Sequence, residues 1–346
     1  MAARAVHAGL SKYTSHEVHL VDALDYTSET FKKMYRHVYT VLISKVPQLW
    51  GFFFGLIDIS WLQPLVRLAR RVYNSLNAGR LQKFLIDGQF DYIINSHFLP
   101  TEVAAALKRK GLIKSKIITV VTDYDVHKIW LADGVDHYAV ACPWTYEKIK
   151  KLGVDPARAH VTGIPTDEKF AQSYDIPGLK KQLGLEIDKF TVLVATGSFG
   201  IGPIEEIIRT LDGIQVVVVS GHNKNLFERL NQLNLPNVKV MGLVNNMHEL
   251  MAVSDVMITK PGGLSVSEAM VSQLPMIFFN AIPGQETNNI KVLKTYGIGI
   301  SGLNIKEIAE HVKLLQSSKD ALLTALKRTR ELSRPNAVKD IISLIK

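Results

Sequence analysis

One short segment constrains the fold of this chain more than any other, because it joins an apolar strand to a helix through two glycines. The run D-V-M-I at Asp255–Ile258 ends in T-K-P-G-G at Thr259–Gly263, and a helical pattern that carries Glu268 follows at once. Such a junction directs backbone N–H groups and a positive helix-dipole end at one point, and glycine lets a ligand approach closely. The segment suits a diphosphate, with Glu268 placed to accept both hydroxyls of a ribose. On this segment alone, an ordinary turn with a solvated Glu268 is the commoner occurrence.

Apolar runs alternate with helical patterns along most of the chain, which is typical of parallel α/β domains. In the second half, strands are predicted at residues 190–195, 214–220, 238–244, 256–259 and 274–279. In the first half, a helix at residues 1–14 precedes strands predicted at residues 17–22, 90–95, 116–122, 135–141 and 160–165. The predicted fold is therefore α/β with two Rossmann-like domains. We place them at residues 1–165 and 166–330, followed by a C-terminal helix at residues 331–346 that packs back on the first domain.

Composition narrows the class of protein without identifying it. A chain of 346 residues, with 47% hydrophobic and 21% charged residues, has the size and character of two folded domains. The single cysteine, Cys142, excludes a disulfide framework and fits a reducing compartment. No apolar run reaches the ~18 residues that span a bilayer, and the N-terminus has no signal pattern. We therefore expect a cytoplasmic protein.

Positive charge is concentrated in the first half of the chain. Residues 1–165 carry 21 Lys and Arg against 14 Asp and Glu, whereas residues 166–346 carry 20 against 18. A basic surface suits nucleic acid, an anionic membrane or an acidic substrate, and no helix-turn-helix, zinc-finger or RNA-recognition signature favours nucleic acid.

Aromatic residues close to arginines favour the membrane among these partners. Aromatic side chains would enter the acyl boundary of a bilayer while cations contact its headgroups. The residues that form this pattern are Trp50, Phe52, Phe53, Phe54, Arg67, Arg70 and Arg71. Packing of the three phenylalanines in a core between helices is the alternative.

Polar residues follow the predicted strand at residues 116–122, at the carboxyl end where open α/β sheets bind ligands. Asp123 and His127 are candidates to take the proton from an acceptor hydroxyl and to orient that group. The alternatives are a cap of the following turn for Asp123 and a hydrogen-bonded structural role for His127.

Two further loops of the second half have residues suited to phosphate or base contacts. The turn after residues 190–195 contains Gly197, Phe199 and Gly200, and Gly221 and Asn223 follow residues 214–220. Glycine-rich turns after buried strands can cradle phosphate oxygens with backbone N–H groups. Taken alone, this glycine pattern is a weak signal, and it is not the dinucleotide G-x-G-x-x-G pattern.

Four motifs together resemble one family. They are T-D-Y-x-x-H-x-I-W at Thr122–Trp130, G-I-P at Gly163–Pro165, K-P-G-G-x-S-x-x-E-A at Lys260–Ala269, and I-P-G-Q-E-x-x-N at Ile282–Asn289. In order and spacing they resemble the monogalactosyldiacylglycerol synthase and processive diacylglycerol glucosyltransferase family. The resemblance covers nearly the whole chain. It implies two domains facing a cleft in the GT-B fold, inverting sugar transfer, and a more distant relation to the peptidoglycan N-acetylglucosaminyltransferase.

The resemblance also implies roles for individual residues. It adds Pro261, Gly262, Gly263, Ser265 and Glu268 to the donor site and assigns the uracil edge to the backbone near Val244. It implies hexose contacts for Gln285, Glu286 and Asn289, with Asn289 holding either the loop or the sugar, and a membrane or acceptor role for Trp130.

The chain departs from the family pattern at its N-terminus. In the family, a buried strand and a G-x-G-H-like loop precede the first helix, and the loop histidine is a candidate for activating the acceptor hydroxyl. Here the sequence opens in a helix, and neither His7 nor His16 occupies an equivalent position. Either the start site is placed too late or the product is truncated. A sheet without a central strand would leave backbone groups unpaired, which favours the first account.

The function implied is transfer of a hexose from UDP-glucose or UDP-galactose to diacylglycerol or a glycosylated diacylglycerol at the inner face of a membrane. No D-x-D or His/Cys ligand pattern is present, so we expect neither an obligatory metal nor a cofactor. The alternatives are N-acetylglucosamine transfer to an undecaprenyl carrier, a UDP-N-acetylglucosamine 2-epimerase-like enzyme, and an inactive sugar-nucleotide-binding protein. The aromatic and basic segment argues against an epimerase, because a soluble sugar nucleotide needs no membrane contact.

Overall fold

A computed structural model describes residues 1–58, 77–197, 200–279 and 281–345 of the chain. The helices are α1 Ala2–Tyr13, α2 Glu29–Lys45, α3 Pro47–Asp58, α4 Gly79–Gly88, α5 Phe98–Arg109, α6 Pro143–Lys151, α7 Ile176–Gln182, α8 Ile204–Thr210, α9 Lys224–Gln232, α10 Met247–Ala252, α11 Gly263–Val271, α12 Gln285–Thr295, α13 Ile305–Ser317, α14 Lys319–Glu331 and α15 Ala337–Ile342. The strands are β1 Tyr92–Asn95, β2 Lys116–Val120, β3 His137–Val140, β4 Ala159–Val161, β5 Thr191–Ala195, β6 Gln215–Val219, β7 Val238–Met241, β8 Val256–Thr259 and β9 Met276–Phe278.

These elements form two compact units that are not continuous in sequence. The first unit consists of Met1–Pro165, Ile282–Asn288 and Asn336–Lys346. The second unit consists of Thr166–Ala281 and Asn289–Pro335. The segment Ile282–Asn288, which includes Gln285 and Glu286, therefore belongs to the first unit although it lies far along the chain.

The sheet of the first unit is parallel and has the order β1-β2-β3-β4. Along the described strands, each strand lies beside the one that precedes it in sequence. One face packs on α1 and α15, where Val6, Leu10 and Ile341 cover Val120 and Ala139. The other face packs on α4 and α5 and forms the larger core. Both faces are covered because parallel strands are joined by helices that return across the sheet.

The sheet of the second unit is also parallel, but its strand order is β7-β6-β5-β8-β9. The chain moves from β5 to β6 and β7 on one side, and then returns to place β8 and β9 on the other side. Strands β5, β6 and β8 are buried along their whole length, as expected for Val- and Ile-rich strands covered on both faces. The order thus reverses between β5 and β8, which is where doubly wound sheets open a crevice at their carboxyl edge.

The predicted strand pattern is confirmed in both units except at residues 17–22. That stretch has no strand, and most of its side chains are exposed, so its alternation of polar and apolar residues reflects a surface segment. Helix α7 lies between β4 and β5. This helix begins where Asp175 caps Gly178 and Pro177 occupies the first turn, both of which are common helix-start signals.

Candidate functional site

In the second sheet, the N-terminus of helix α11 lies at the carboxyl end of β8, where the strand order reverses between β5 and β8. Helix α11 follows β8 after Lys260 and Pro261, and its N-cap is Gly262, which has no side chain to satisfy the first N–H groups. The first intrahelical bond runs from Val266 N to Gly262 O at 3.0 Å. An uncapped N-terminus of this kind favours an anion, through its N–H groups and through the helix dipole.

Asn289 holds the turn that leads into this helix. Its side chain is fully buried, and its Nδ2 donates to Pro261 O at 3.1 Å. This hydrogen bond belongs to the expected loop-holding role of Asn289, and its contact with the sugar stays a prediction. This contact fixes the backbone at the point where the ligand site begins.

Glu268 lies in the second turn of α11 and is buried. Burial raises the pKa of its carboxyl to about 7, and the nearby Asp167 carboxylate acts in the same direction. Ionising a buried carboxyl is costly, and two ribose hydroxyls would supply hydrogen-bond donors to it.

The glycine turn after β5 packs against the loop after β6. Gly197 and Gly200 have φ values of +79° and +54°, which favour glycine. A Cβ at Gly200 would come within 2.5 Å of Ser220 O, so the two loops touch. Asn223 caps α9 by accepting from Leu226 N at 3.0 Å, and its Nδ2 donates to Gly200 O at 3.2 Å. Asn223 therefore supports the turn, a contact that the sequence did not indicate.

The other residues predicted for the donor site in the second unit lie in loops and in the first turn of α11. Gly221 has a φ of +60° in the loop after β6, Ser265 lies half-buried in the first turn of α11, and Val244 lies half-buried after β7. Phe199 lies outside the described residues. Thr196, which sequence analysis did not assign, is buried at the end of β5, and its Oγ1 has no hydrogen-bond partner among the described residues.

In the first unit, Asp123 joins residues from three parts of the chain. Its Oδ2 accepts from Trp130 Nε1 at 3.1 Å, and its Oδ1 accepts from Gln285 Nε2 at 2.8 Å. Glu286 in turn accepts from Ile282 N at 2.7 Å and fixes the start of the segment that carries Gln285. Gln285 and Glu286, expected at the sugar, thus have structural partners inside the first unit.

His127 is a buried N-cap whose orientation is set by the backbone. Its Nδ1 lies 3.1 Å from Ile129 N and accepts that N–H. In the neutral ring this contact assigns the proton to Nε2, so Nε2 acts as a donor. A carboxylate offers about four acceptor positions, and Trp130 and Gln285 each donate to one oxygen of Asp123. Which of the two residues takes the acceptor proton and which orients the hydroxyl stays a prediction.

A second histidine, His97, occupies the same kind of position one strand away. It follows β1 and caps α5, with Nδ1 accepting from Leu99 N at 3.3 Å. Burial lowers the pKa of His97 to about 4, against the opposing effect of Asp22, so the ring is neutral at pH 7. Its ring contacts Phe98 and Trp130 at centroid distances of 4.0 and 6.4 Å. The only sequence signal for it was a histidine at a strand end.

Helix α3 presents an apolar face to solvent. Val46, Leu49, Phe52 and Leu56 are exposed, and the last three are spaced so that they share one side of the helix. The side chains of Phe53 and Phe54, and Arg67, Arg70 and Arg71, lie outside the described residues. Trp50 is half-buried in the same helix. Across the described ranges, no helix combines the length and the hydropathy needed to cross a bilayer.

Trp130 does not have the position expected for membrane contact. Only 4% of its surface is exposed, because it packs in the core of the first unit and donates its indole N–H to Asp123. Its described role is therefore to orient Asp123. Within the residues described, no group of three or more His, Cys, Asp or Glu side chains could hold a metal ion.

Comparison with protein families finds two matches that divide the chain between them. Residues 1–166 match the model of monogalactosyldiacylglycerol (MGDG) synthase. Residues 191–344 match the glycosyltransferase family 28 C-terminal domain. The two matches correspond closely to the main segments of the two units.

Curated relatives resemble most of the chain. The processive diacylglycerol β-glucosyltransferase of Bacillus subtilis is 32% identical over 278 residues, which is 78% of this chain and 72% of the relative. The enzyme of that name from Staphylococcus epidermidis is 33% identical over 284 residues, or 79% of this chain and 72% of the relative.

Solved structures resemble the fold at low identity. MurG of Acinetobacter baumannii aligns with a TM-score of 0.56 at 15% identity, covering 78% of this chain and 79% of that one. HepE of Anabaena in complex with UDP-glucose aligns with a TM-score of 0.53 at 13% identity, covering 79% and 83%. A UDP-N-acetylglucosamine 2-epimerase aligns with a TM-score of 0.58 at 14% identity, covering 77% and 74%. These likenesses show the fold alone, and they confirm the predicted GT-B class of two parallel α/β domains.

Proposed function

Because the chain belongs to the family of the processive diacylglycerol β-glucosyltransferases, we propose that it transfers a hexose from a UDP-sugar to diacylglycerol or to a glycosylated diacylglycerol. It is a glycosyltransferase. The names of its relatives support diacylglycerol as acceptor and glucose as the transferred sugar. The complex of HepE with UDP-glucose supports a UDP-sugar donor for this fold.

The observation that carries this proposal is the reversal point of the second sheet. Loops from β5 and β8 diverge there, and the uncapped N-terminus of α11 faces the carboxyl edge of the sheet. Glu268 lies buried on the same helix, and burial raises the pKa of its carboxyl to about 7. An anion site beside a carboxylate suited to a ribose is what a nucleoside diphosphate requires.

The proposed reaction inverts the anomeric carbon of the sugar. The acceptor oxygen attacks that carbon from the face opposite UDP, a new C–O bond forms, and the bond to the diphosphate breaks. Negative charge accumulates on the departing UDP, where the α11 N-terminus supplies fixed donors that need no reorganisation.

The acceptor proton passes in this mechanism to Asp123. Trp130 and Gln285 hold its carboxylate in one orientation through both oxygens. His127 Nε2 donates a hydrogen bond to an oxygen of the acceptor and thereby orients it. Uptake of the proton during attack avoids a positively charged oxygen in the product.

We place this reaction at the cytoplasmic face of a membrane, with the protein bound peripherally. Exposed Leu49 and Phe52 on α3 are suited to the acyl boundary, and the excess of Lys and Arg in residues 1–165 suits anionic headgroups. A diacylglycerol acceptor remains in the bilayer, so an enzyme that docks on the surface meets its substrate there.

The test is UDP release by the purified chain with UDP-glucose or UDP-galactose, in vesicles with and without diacylglycerol. We expect release that depends on diacylglycerol and is faster with UDP-glucose, in the presence or absence of EDTA. Analysis of the lipid product would show whether one sugar or several are added. Release that is independent of diacylglycerol, or absent despite UDP binding, would contradict the proposed activity.

A further inference from the structure

Helix α3 carries a glycine on the side that packs against the rest of the first unit. Leu49, Phe52 and Leu56 are exposed on one side of this helix. At about 3.6 residues per turn, Gly51 lies on the side away from them. A Cβ at Gly51 would come within 2.7 Å of Pro283 Cβ, closer than the roughly 3.5 Å at which carbon atoms make contact. The helix therefore lies directly on the turn around Pro283, which belongs to the same unit.

The turn around Pro283 is rigid. The proline ring fixes one backbone angle, and side-chain hydrogen bonds tie the turn together on both sides of the ring. Ile282 N donates to Glu286 Oε2 at 2.7 Å. Gly284 N donates to Thr287 Oγ1 at 3.0 Å. A displacement of Pro283 is therefore passed on to the whole turn rather than absorbed within it.

Gln285 lies in the middle of this turn and holds Asp123. Its Nε2 donates to Asp123 Oδ1 at 2.8 Å, and Trp130 Nε1 donates to the other carboxylate oxygen at 3.1 Å. Helix α3 also packs beside the short 3-10 helix Lys128–Trp130, which supplies this second donor. One helix thus contacts both segments that orient the carboxylate.

We propose that Gly51 is a positioning residue for the transfer reaction. Because it has no side chain, α3 lies close to Pro283, and Gln285 is thereby held at hydrogen-bond distance from Asp123. This inference rests on the proposed function, in which Asp123 takes the acceptor proton. It adds that the helix proposed to contact the membrane also sets the geometry of the proton acceptor, since the two sides of α3 move together.

The test compares alanine at Gly51 with alanine at Gly55, one turn later in the same helix. A Cβ at Gly55 meets no other part of the described structure within 4 Å, so Gly55→Ala changes helix propensity equally without a new contact. UDP release at saturating UDP-glucose is measured for each variant of the full chain in vesicles that contain diacylglycerol. UDP affinity is measured by calorimetry, and vesicle binding by sedimentation.

For Gly51→Ala we expect kcat to fall about 10- to 100-fold, because displacing Gln285 by roughly 1 Å lengthens its hydrogen bond beyond about 3.5 Å. Kd for UDP should stay within about twofold of wild type if the donor binds in the second unit as proposed. Vesicle binding should also be unchanged, since the apolar side of α3 is intact. Gly55→Ala should match wild type in all three measurements.

A double-mutant cycle with Gln285→Ala tests the route of the effect. Gln285→Ala removes the hydrogen bond to Asp123 and should itself lower kcat. Adding Gly51→Ala should then lower kcat by less than about twofold further, because the group through which Gly51 acts is already absent. A role of Gly51 in packing alone predicts instead that the two losses multiply.

Unchanged kcat in Gly51→Ala, an equal fall in Gly55→Ala, or losses that multiply with Gln285→Ala would each overturn this inference and leave the proposed function intact. If wild type shows no release that depends on diacylglycerol, the proposed function fails first, so the two failures are distinguished. Should Gly51→Ala not fold, Pro283→Gly is added to delete the opposing Cβ. This double variant should have the kcat of Pro283→Gly alone, and a value more than about fivefold lower would count against the inference.

Discussion

Both sheets consist of short parallel strands, but different kinds of groups form the candidate site at the carboxyl edge of each. In the second unit the strand order reverses between β5 and β8, and the site at that point consists mainly of backbone: a helix N-terminus and a glycine turn. In the first unit the described strands succeed one another in a single direction. There the candidate site consists of side chains that hold each other, with Asp123 at the centre.

This difference suggests a division of labour between the units. Backbone donors bind an anion with little dependence on side-chain identity, which suits the constant diphosphate part of a donor. A network of hydrogen-bonded side chains can fix the orientation of a carboxylate that takes a proton, which suits attack by the hydroxyl of the lipid substrate. Substitutions in the first unit should therefore lower turnover at constant UDP affinity, and those in the second unit should do the reverse.

The largest effect is expected from Asp123→Asn. Loss of the proton acceptor should lower kcat by about 100-fold or more, the usual range for a general base. Kd for UDP, measured by calorimetry, should stay near the wild-type value if the nucleotide binds in the second unit as proposed. Asp125→Asn is the matched control, since Asp125 pairs with Lys148 at 2.7 Å and has no role in the proposed chemistry. If Asp123→Asn keeps more than about a tenth of kcat, another group takes the proton.

Glu268→Ala should have the opposite signature. Removing the carboxylate that is proposed to accept the ribose hydroxyls should raise the donor KM by about 10- to 100-fold, with kcat less affected. Initial rates over a range of UDP-sugar concentration provide the measurement. Glu205→Gln serves as the control, because Glu205 forms a partly exposed ion pair with Arg209 at 3.0 Å within α8. An unchanged donor KM for Glu268→Ala would remove Glu268 from the donor site.

The sequence indicated the strand-to-helix turn of the second unit more clearly than the hydrogen bonds around Asp123 in the first unit. The physical reason is the distance along the chain between the residues involved. Buried strands leave apolar runs, and the β8-to-α11 turn needs glycines, so both are visible in a few consecutive residues. The contact between Asp123 and Gln285 joins residues 162 positions apart, and no local pattern encodes it. For the same reason the support of the glycine turn by Asn223 and the orientation of Asp123 by Trp130 were visible only in the structure.

Donor binding should depend on pH through Glu268. Burial raises the pKa of this carboxyl to about 7, so it is half protonated near neutrality and largely charged at pH 8. A protonated carboxyl accepts the two hydroxyls less well, so the donor KM should rise by about 10-fold between pH 8 and pH 6. Glu268→Gln should flatten this profile, whereas a profile that persists in the variant would place the titration on another group.

The raised pKa of Glu268 also determines how this residue affects the free energy of unfolding at different pH values. The folded state holds the Glu268 proton more tightly than the unfolded state does, because the pKa of this carboxyl rises from 4.5 in the unfolded chain to about 7 in the folded protein. Its contribution to the free energy of unfolding is therefore full below pH 4.5 and is lost as pH rises through about 7. At pH 8, Glu268→Gln should unfold at a higher temperature than wild type, and a lower melting temperature would contradict the proposed burial cost.

The smallest effect is expected on the face of α3, because one side chain contributes only part of a membrane contact. Phe52, which is 64% exposed, is replaced by Glu, and binding is measured by sedimentation with vesicles that contain phosphatidylglycerol and diacylglycerol. Loss of one inserted aromatic side chain should lower vesicle partitioning by about 10-fold and leave UDP affinity unchanged. Leu323→Glu is the control, since Leu323 is an apolar residue of α14 that is 52% exposed in the second unit. Equal partitioning of the two variants would mean that membrane contact is not made by α3, and the assignment of acceptor binding to the first unit would then rest on Asp123 alone.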